Sequence, residues 1–190
     1  MKNSFYPWGG EFTVCSFNSC IAVVLLQTNY TPPRDVAVFG PVKTENIGME
    51  KIVANVISNP NIRYLLICGD DIRGHLPGST LVALHKYGTD KENRVINAPG
   101  AIPYIENLEA EAVERFRKQV EILDLIGVRK NEKIDAVVRD CIKKSPPSFG
   151  SPYIAIKIVA KHRWAVTDDK RALHSKIVID YMGKIKGRGC

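Results

Sequence analysis

Four histidines, five cysteines and a scatter of acidic side chains are the groups in this 190-residue chain that could ligate a metal or move a proton. One of them has an unusual setting. His75 lies in the stretch Gly74-His75-Leu76-Pro77-Gly78-Ser79-Thr80, where glycines on both sides let backbone approach a large planar ligand closely while the imidazole offers a ring nitrogen. A turn histidine bonded to nearby backbone is the competing reading of the same residues. His85 falls at the end of a short helical pattern, where it reads as a surface or C-terminal capping residue, and His162 and His174 read as structural or solvent-facing. The cysteines, at 15, 20, 68, 141 and 190, form no CxxC pair and no zinc spacing with histidine. Cys20 and Cys68 sit inside apolar runs and read as small buried hydrophobes. The phosphate-cradling fingerprints GxGxxG and GxxxxGK-Ser/Thr are missing, as are GxSxG and HExxH, which demotes nucleotide-dependent and standard hydrolytic chemistry.

The elements that must position His75 follow from hydrophobic pattern. Cys20–Leu26 is a continuous, β-branched-rich apolar run, as expected of a strand buried on both faces of a parallel sheet, and Val36–Phe39 and Ile62–Cys68 look alike. Between the last two, Ile47, Ile52, Val53, Val56 and Ile57 recur near helical spacing over Thr44–Ser58, with Thr44 as N-cap and Asn59-Pro60 as the stop. A second helix is predicted over Thr80–Tyr87, closed by Gly88, so that His75 occupies the loop leaving the carboxyl end of a central strand. Ligands of open α/β sheets bind at that edge. Ala98–Tyr104 forms another Gly/Pro loop and introduces a helix predicted over Glu109–Ile126, with Val113, Phe116, Val120, Leu123 and Ile126 as its apolar stripe. A last helix spans Asn131–Lys144. The expected fold is α/β: a Rossmann-like three-layer sandwich with a mainly parallel sheet, plus a small strand-rich C-terminal element that opens with Tyr153–Val159 and turns at Thr167–Lys170. The boundary is placed in Ser145–Gly150, giving domains 1–145 and 146–190.

Charge divides at the same place. Of 27 Lys+Arg and 20 Asp+Glu, residues 151–190 hold 9 and 3, so six of the seven net positive charges lie in that element. Such a segment suits an acidic partner, an anionic membrane surface or nucleic acid, or is simply a solvated face. Nucleic-acid binding ranks lowest, because no aromatic-basic platform accompanies the charge. The longest apolar run, Cys20–Leu26, is far short of the roughly 20 residues a spanning helix needs. With no apolar signal region after Met1, the expectation is a cytoplasmic protein without an integral membrane span.

Several ordered blocks carry a family resemblance: Gly40-Pro-Val-Lys-Thr-Glu-Asn-Ile-Gly-Met-Glu-Lys51, Ala54-Asn-Val-Ile-Ser-Asn-Pro-Asn-Ile-Arg63, Cys68-Gly-Asp-Asp-Ile-Arg-Gly-His75 with Gly78, Ala83-Leu-His-Lys86, Ala98-Pro-Gly-Ala-Ile-Pro-Tyr-Ile-Glu-Asn107, and Glu114-Arg-Phe116 with Lys118-Gln119. They resemble the A subunit (MtrA) of tetrahydromethanopterin S-methyltransferase from methanogenic archaea over residues 6–145. The resemblance implies a corrinoid-binding Rossmann-like domain whose cofactor is a cobamide, a cobalamin-type cobalt macrocycle of the 5-hydroxybenzimidazolyl kind. It also implies that His75, in Gly-His-x-x-Gly, is the lower axial cobalt ligand. The cobalt would carry a methyl group between a Co(I) and a methyl-Co(III) state, and an axial imidazole favours the higher state. Contacts to the corrin and its nucleotide arm are expected from Lys43, Thr44, Glu45 and Asn46, from Gly69 and Asp70, from Gly74, Leu76, Pro77, Gly78 and Ser79, and from Pro99, Gly100 and Ala101. Beyond the cofactor ligand no catalytic residue is implied. Partners would be other methyltransferase subunits or methyl donor and acceptor proteins, through which the chain could sit peripherally at the membrane.

Two departures qualify the resemblance, while a third difference, from cobalamin domains of the methionine synthase type, fits the MtrA family better. More familiar cobalamin domains read Asp-x-His-x-x-Gly, with the aspartate bonded to the imidazole, whereas Arg73 stands at that place here. Asp70 or Asp71 is left to approach His75 on folding. The usual MtrA chain ends in a transmembrane helix and this sequence in a basic element. Val42, Pro77 and Ser79 stand where the family commonly has Cys, Thr and Gln. The readings that remain are a methyl carrier working with partner proteins, and a module that stores or senses corrinoid or docks an acidic protein.

Overall fold

The structure, a computed structural model, describes residues 6–155 and the backbone of two short strands at 177–179 and 185–187. The chain divides into two units, Met1–Ile156 and Lys157–Cys190.

The apolar runs of the first unit become the strands of one sheet: β1 (Thr13–Val14), β2 (Ile21–Leu25), β3 (Val38–Pro41), β4 (Tyr64–Gly69) and β5 (Glu121–Ile126). Their order is β1-β3-β2-β4-β5, with β1 antiparallel and all other pairs parallel. Alternate side chains of the central strands feed two cores. Ala22, Val24, Leu65 and Ile67 face one side, and Ile21, Val23, Leu66 and Cys68 face the other. On the first side pack α1 (Ile47–Ser58), α2 (Pro77–Tyr87) and α3 (Ala110–Gln119), which bury Met49, Val53, Leu81, Leu84 and Phe116. On the second lies α4 (Asn131–Lys144), through Ile134, Val138 and Cys141. This is the three-layer, Rossmann-like α/β arrangement expected from the sequence. Cys20, Cys68 and Cys141 are buried free thiols, and burial pushes Cys68 up to about 12 and Cys141 up to about 11.

Three expectations are corrected. The helix over Glu109–Ile126 ends at Gln119, and residues 121–126 are β5. Glu121 N–H donates to Arg63 O at 2.9 Å, so the chain continues the parallel ladder on β4 instead of the helix. Ile122 and Ile126 then pack on one core while Leu123 and Leu125 pack on the other, a division of apolar side chains that only a strand achieves. The N-cap of α1 is Asn46, whose Oδ1 accepts the Ile47 N–H at 2.7 Å, while Thr44 Oγ1 accepts from Gly48 N–H one turn in. Helix α2 begins at Pro77, three residues before Thr80, because proline is well suited to the first helical turn.

Residues 146–155 remain tied to the first unit, beyond the boundary read from composition. Arg63 donates to Pro147 O, Arg115 to Phe149 O and Ser151 O, and Tyr153 N–H to Ile57 O. Tyr153 to Ala155 is not strand; the remainder of the predicted Tyr153–Val159 strand, the Thr167–Lys170 turn, His162, His174 and Cys190 lie outside the described residues. In the second unit β6 (Ile177–Ile179) and β7 (Ile185–Gly187) pair antiparallel, in register Ile177 with Gly187 and Ile179 with Ile185.

Candidate functional site

His75 is brought to the carboxyl edge of the sheet by the loop between β4 and α2. Gly74 takes φ +88° and Leu76 φ +46°, left-handed conformations that turn the chain into the helix and leave the His75 side chain 58% exposed. Its Nδ1 lies 3.1 Å from Oε2 and 3.4 Å from Oε1 of Glu45, which reaches it from the loop between β3 and α1. Among the described residues Nε2 has no hydrogen-bond partner.

Glu45 is the buried half of this pair, only 3% exposed. Burial raises its carboxyl, but its own backbone N–H, the Ile102 N–H and His75 together outweigh that and hold it below the ordinary glutamate range. Ile102 N–H donates to Oε1 at 3.0 Å, so one carboxylate ties together loops 30 and 57 residues distant from it. The third loop, Ala98–Asn107, is fixed again by Glu50, whose carboxylate accepts from Asn107 N–H at 2.8 Å, Asn107 Nδ2 at 2.7 Å and Glu106 N–H. Gly100 makes the junction possible. A Cβ there would stand 2.7 Å from Thr80 Oγ1, 2.8 Å from His75 O and 2.9 Å from Glu45 Cγ.

The other residues named from the sequence have separate duties. Lys43 forms an exposed ion pair with Glu11 at 2.7 Å, and Thr44 and Asn46 cap α1. At Gly78 a Cβ would lie 2.7 Å from Leu26 Cδ1, so a side chain there would require that leucine to shift. Pro77, Gly78 and Ser79 form the first turn of α2, and Asp71 caps it: Oδ1 accepts from Gly78 N–H at 3.0 Å and Oδ2 from Ser79 N–H at 2.7 Å. Neither aspartate that the sequence left open as a partner for His75 fills that part. Asp71 is spent on the helix, and Asp70 pairs with Arg129 at 2.6 Å. Pro99 and Ala101 are exposed on the loop beside Gly100. His85, half-buried, hydrogen-bonds through Nε2 to Val120 O at 2.8 Å and stacks edge-on with Phe116, a structural role. Sequence reasoning missed Thr80, which is fully buried and anchors Gly100 N–H, and the capping role of Asp71; capping across a seven-residue loop leaves no spacing signal.

Gly69 and Asp70 belong to a different corner of the same edge. Between β2 and β4 the strand order reverses, and outside it opens a cleft of about 920 Å³ bounded by Gln27–Asn29, Asp70 and Arg129–Glu132. Gly69, at φ +97°, permits the close approach of β4 to this loop, since a Cβ would stand 2.8 Å from Thr28 Cβ and 3.0 Å from Gln27 O.

An imidazole with one nitrogen oriented by a buried carboxylate and the other unpartnered is suited to ligate a metal from outside, because the carboxylate sets the tautomer and supports the ring as a donor. It is equally the arrangement of a general base. No group of three or more metal-ligating side chains occurs among the described residues, so a metal at His75 would have to bring most of its own ligands. No helix among them is long and apolar enough to cross a membrane.

Comparison with known proteins shows the family of the chain but bears on neither use of His75. The family model for the A subunit of tetrahydromethanopterin S-methyltransferase (MtrA) matches residues 2–165. Over 153 residues the chain is 50% identical to the first of two tetrahydromethanopterin S-methyltransferase A subunits of Methanothermobacter thermautotrophicus, a match covering 78% of this chain and 64% of that relative. To the second A subunit of the same organism it is 45% identical over 153 residues, covering 78% and 84%. To the corresponding protein of Methanohalophilus mahii it is 39% identical, covering 78% and 63%. The chain thus spans less than two thirds of the first and third of these relatives and most of the second.

Proposed function

The chain belongs to the MtrA family, the A subunits of tetrahydromethanopterin S-methyltransferase, and from that premise we propose that it is a methyl-carrier protein holding a cobamide, with His75 as the lower axial ligand of the cobalt. The observation that carries the reading is the Glu45–His75 pair. A macrocycle that brings four nitrogen ligands of its own would need no more than one donor from the protein, and His75 could supply it, exposed to a large ligand and steadied from behind. The bound cobamide would supply a cobalt centre that accepts a methyl group from one partner and yields it to another.

The residues of the chain then divide the remaining work. Glu45 fixes the Nδ1 side of the ring by accepting its hydrogen bond, so that Nε2 is the nitrogen presented. Its buried position and second bond to Ile102 N–H keep the carboxylate from following the imidazole into solvent. Gly74, at φ +88° and with open space where a Cβ would stand, gives the loop that carries His75 a backbone freedom that would let the imidazole adjust to a bound cobamide. Other subunits of the methyltransferase are the expected partners, since donor and acceptor must be bound by proteins other than this carrier.

The test is retention of hydroxocobalamin by the purified apoprotein through gel filtration, followed by electron paramagnetic resonance of the Co(II) form. Stoichiometric retention, with nitrogen superhyperfine splitting that disappears in His75→Ala, is the expected result. Splitting unchanged in His75→Ala sinks the ligand assignment, and failure of the wild type to retain corrinoid sinks the carrier reading.

A further inference from the structure

Protein interiors close-pack, so a mainly apolar hollow with room for several water molecules stands out. One such cavity, of about 110 Å³, lies between the sheet and α1, lined neither by His75 nor by any residue of the cleft at Asp70. Val24, Val38 and Leu65 reach it from the strands, Ile52 and Val56 from α1, and Phe12 from the segment that precedes β1. That segment is held at two points. Asn55 grips Trp8, accepting its N–H at Oδ1 (2.9 Å) and donating from Nδ2 to its carbonyl oxygen (2.8 Å). Further on, Glu11 and Phe12 lie so close to Gly40 that a Cβ there would stand 2.6 Å from Glu11 O and 2.8 Å from Phe12 Cβ. Gly9 and Gly10 span the interval, and their backbone freedom suits a wall that must yield to admit a molecule.

The polar side chains at the cavity are those of Glu11, Lys51 and Asn55. Asn55 uses both polar atoms on Trp8, and Glu11 is paired with Lys43. Lys51, half-buried, has neither hydrogen bond nor ion pair among the described residues. Its stem runs along the glycine wall, since a Cβ at Gly10 would stand 3.8 Å from Lys51 Cδ. An apolar hollow with one unanswered ammonium among its lining residues is matched by a ligand with an apolar body and a single negative head.

We propose that this cavity binds a small aliphatic monocarboxylate, its tail among Val24, Ile52 and Leu65 and its carboxylate on Lys51 Nζ. A cavity of about 150 Å³ accepts benzene, so this smaller one has room for about four or five carbons. The proposal is independent of the cobamide reading.

The test is two-dimensional amide NMR of the isotope-labelled full chain, titrated with acetate, 3-methylbutanoate and the neutral 3-methylbutanamide. The expected result is saturable displacement of the Gly10, Gly48 and Ile52 signals by 3-methylbutanoate. Acetate should bind more weakly by about tenfold or more, because each buried methylene changes affinity about fourfold. The amide should be weaker by about threefold or more, for want of the charge. Lys51→Met should weaken the carboxylate to the level of the amide and leave the amide unchanged, and Ile52→Phe, which fills the hollow, should abolish binding of both. Absence of saturable shifts in the wild type at millimolar ligand, or acetate binding as well as 3-methylbutanoate, overturns the site. Equal affinity for carboxylate and amide, or a Lys51→Met variant that keeps wild-type carboxylate affinity, overturns the ligand class. Shifts confined to Arg129 and Lys130 mean adventitious pairing with exposed cations and overturn the proposal likewise. Should Ile52→Phe fail to fold, the chain-length comparison in the wild type carries the same decision.

Discussion

The carboxyl edge of the sheet has two corners, and they are built on opposite principles. The cleft at the strand-order reversal is large, about 920 Å³, and its charges answer one another, with Asp70 paired to Arg129 in the open. The His75 corner is built differently. It holds a buried carboxylate, an imidazole tied at one nitrogen only, and three loops locked around a glycine. The general rule for open α/β sheets points to the first corner, and the residue chemistry points to the second. Room for a ligand and a group held ready for one are separate properties, and His75 is not among the residues that line the cleft.

The comparison can be broken most forcefully at Gly100. Gly100→Ala would place a methyl group against His75 O and Thr80 Oγ1, forcing the loops apart at a cost of about 2 kcal/mol in urea unfolding. Wild-type stability in that variant would mean that the corner is slack. A finer cut is Glu45→Gln in the apoprotein. The folded carboxyl lies below its ordinary value, so its contribution is present above the unfolded pKa of roughly 4.3 and is lost as pH falls through the folded value. The variant should be less stable by about 1 kcal/mol at pH 7. That gap should narrow as the solution is acidified below about pH 4; a gap constant from pH 7 to pH 3 would show that charge plays no part. The smallest effect is expected in the cleft, where Arg129→Ala removes a guanidinium that is 79% exposed and screened by water. Its melting temperature should match that of wild type, and a clear loss would place the cleft on the same structural footing as the His75 corner.

Much of this was legible in the sequence where one signal pointed one way. The buried strands β2 and β4 showed as short β-branched runs, α4 as a clean helical period, and His75 as a histidine between glycines beyond a central strand. Strand β5 was not, because Val113, Phe116, Val120, Leu123 and Ile126 continue a helical spacing while also fitting a strand that is apolar on both faces. The two-residue β1 is too short to leave a period at all. Glu45 was named as a contact to the cofactor, yet its pairing with His75 could not be read, since the two are 30 residues apart and joined only by the parallel crossover. Family patterning directed attention instead to aspartates near in sequence, both of which the fold employs elsewhere.

The convergence of three loops on Gly100 also bears on when the site exists during synthesis. His75 meets Glu45 only after β3, α1 and β4 have been laid down, and Glu45 is locked by Ile102 only when residues beyond the second helix have emerged. A nascent chain ending before Gly100 would carry the histidine without its setting. A ligand that depended on this pinned pair would therefore meet its site only once the greater part of the first unit has left the ribosome.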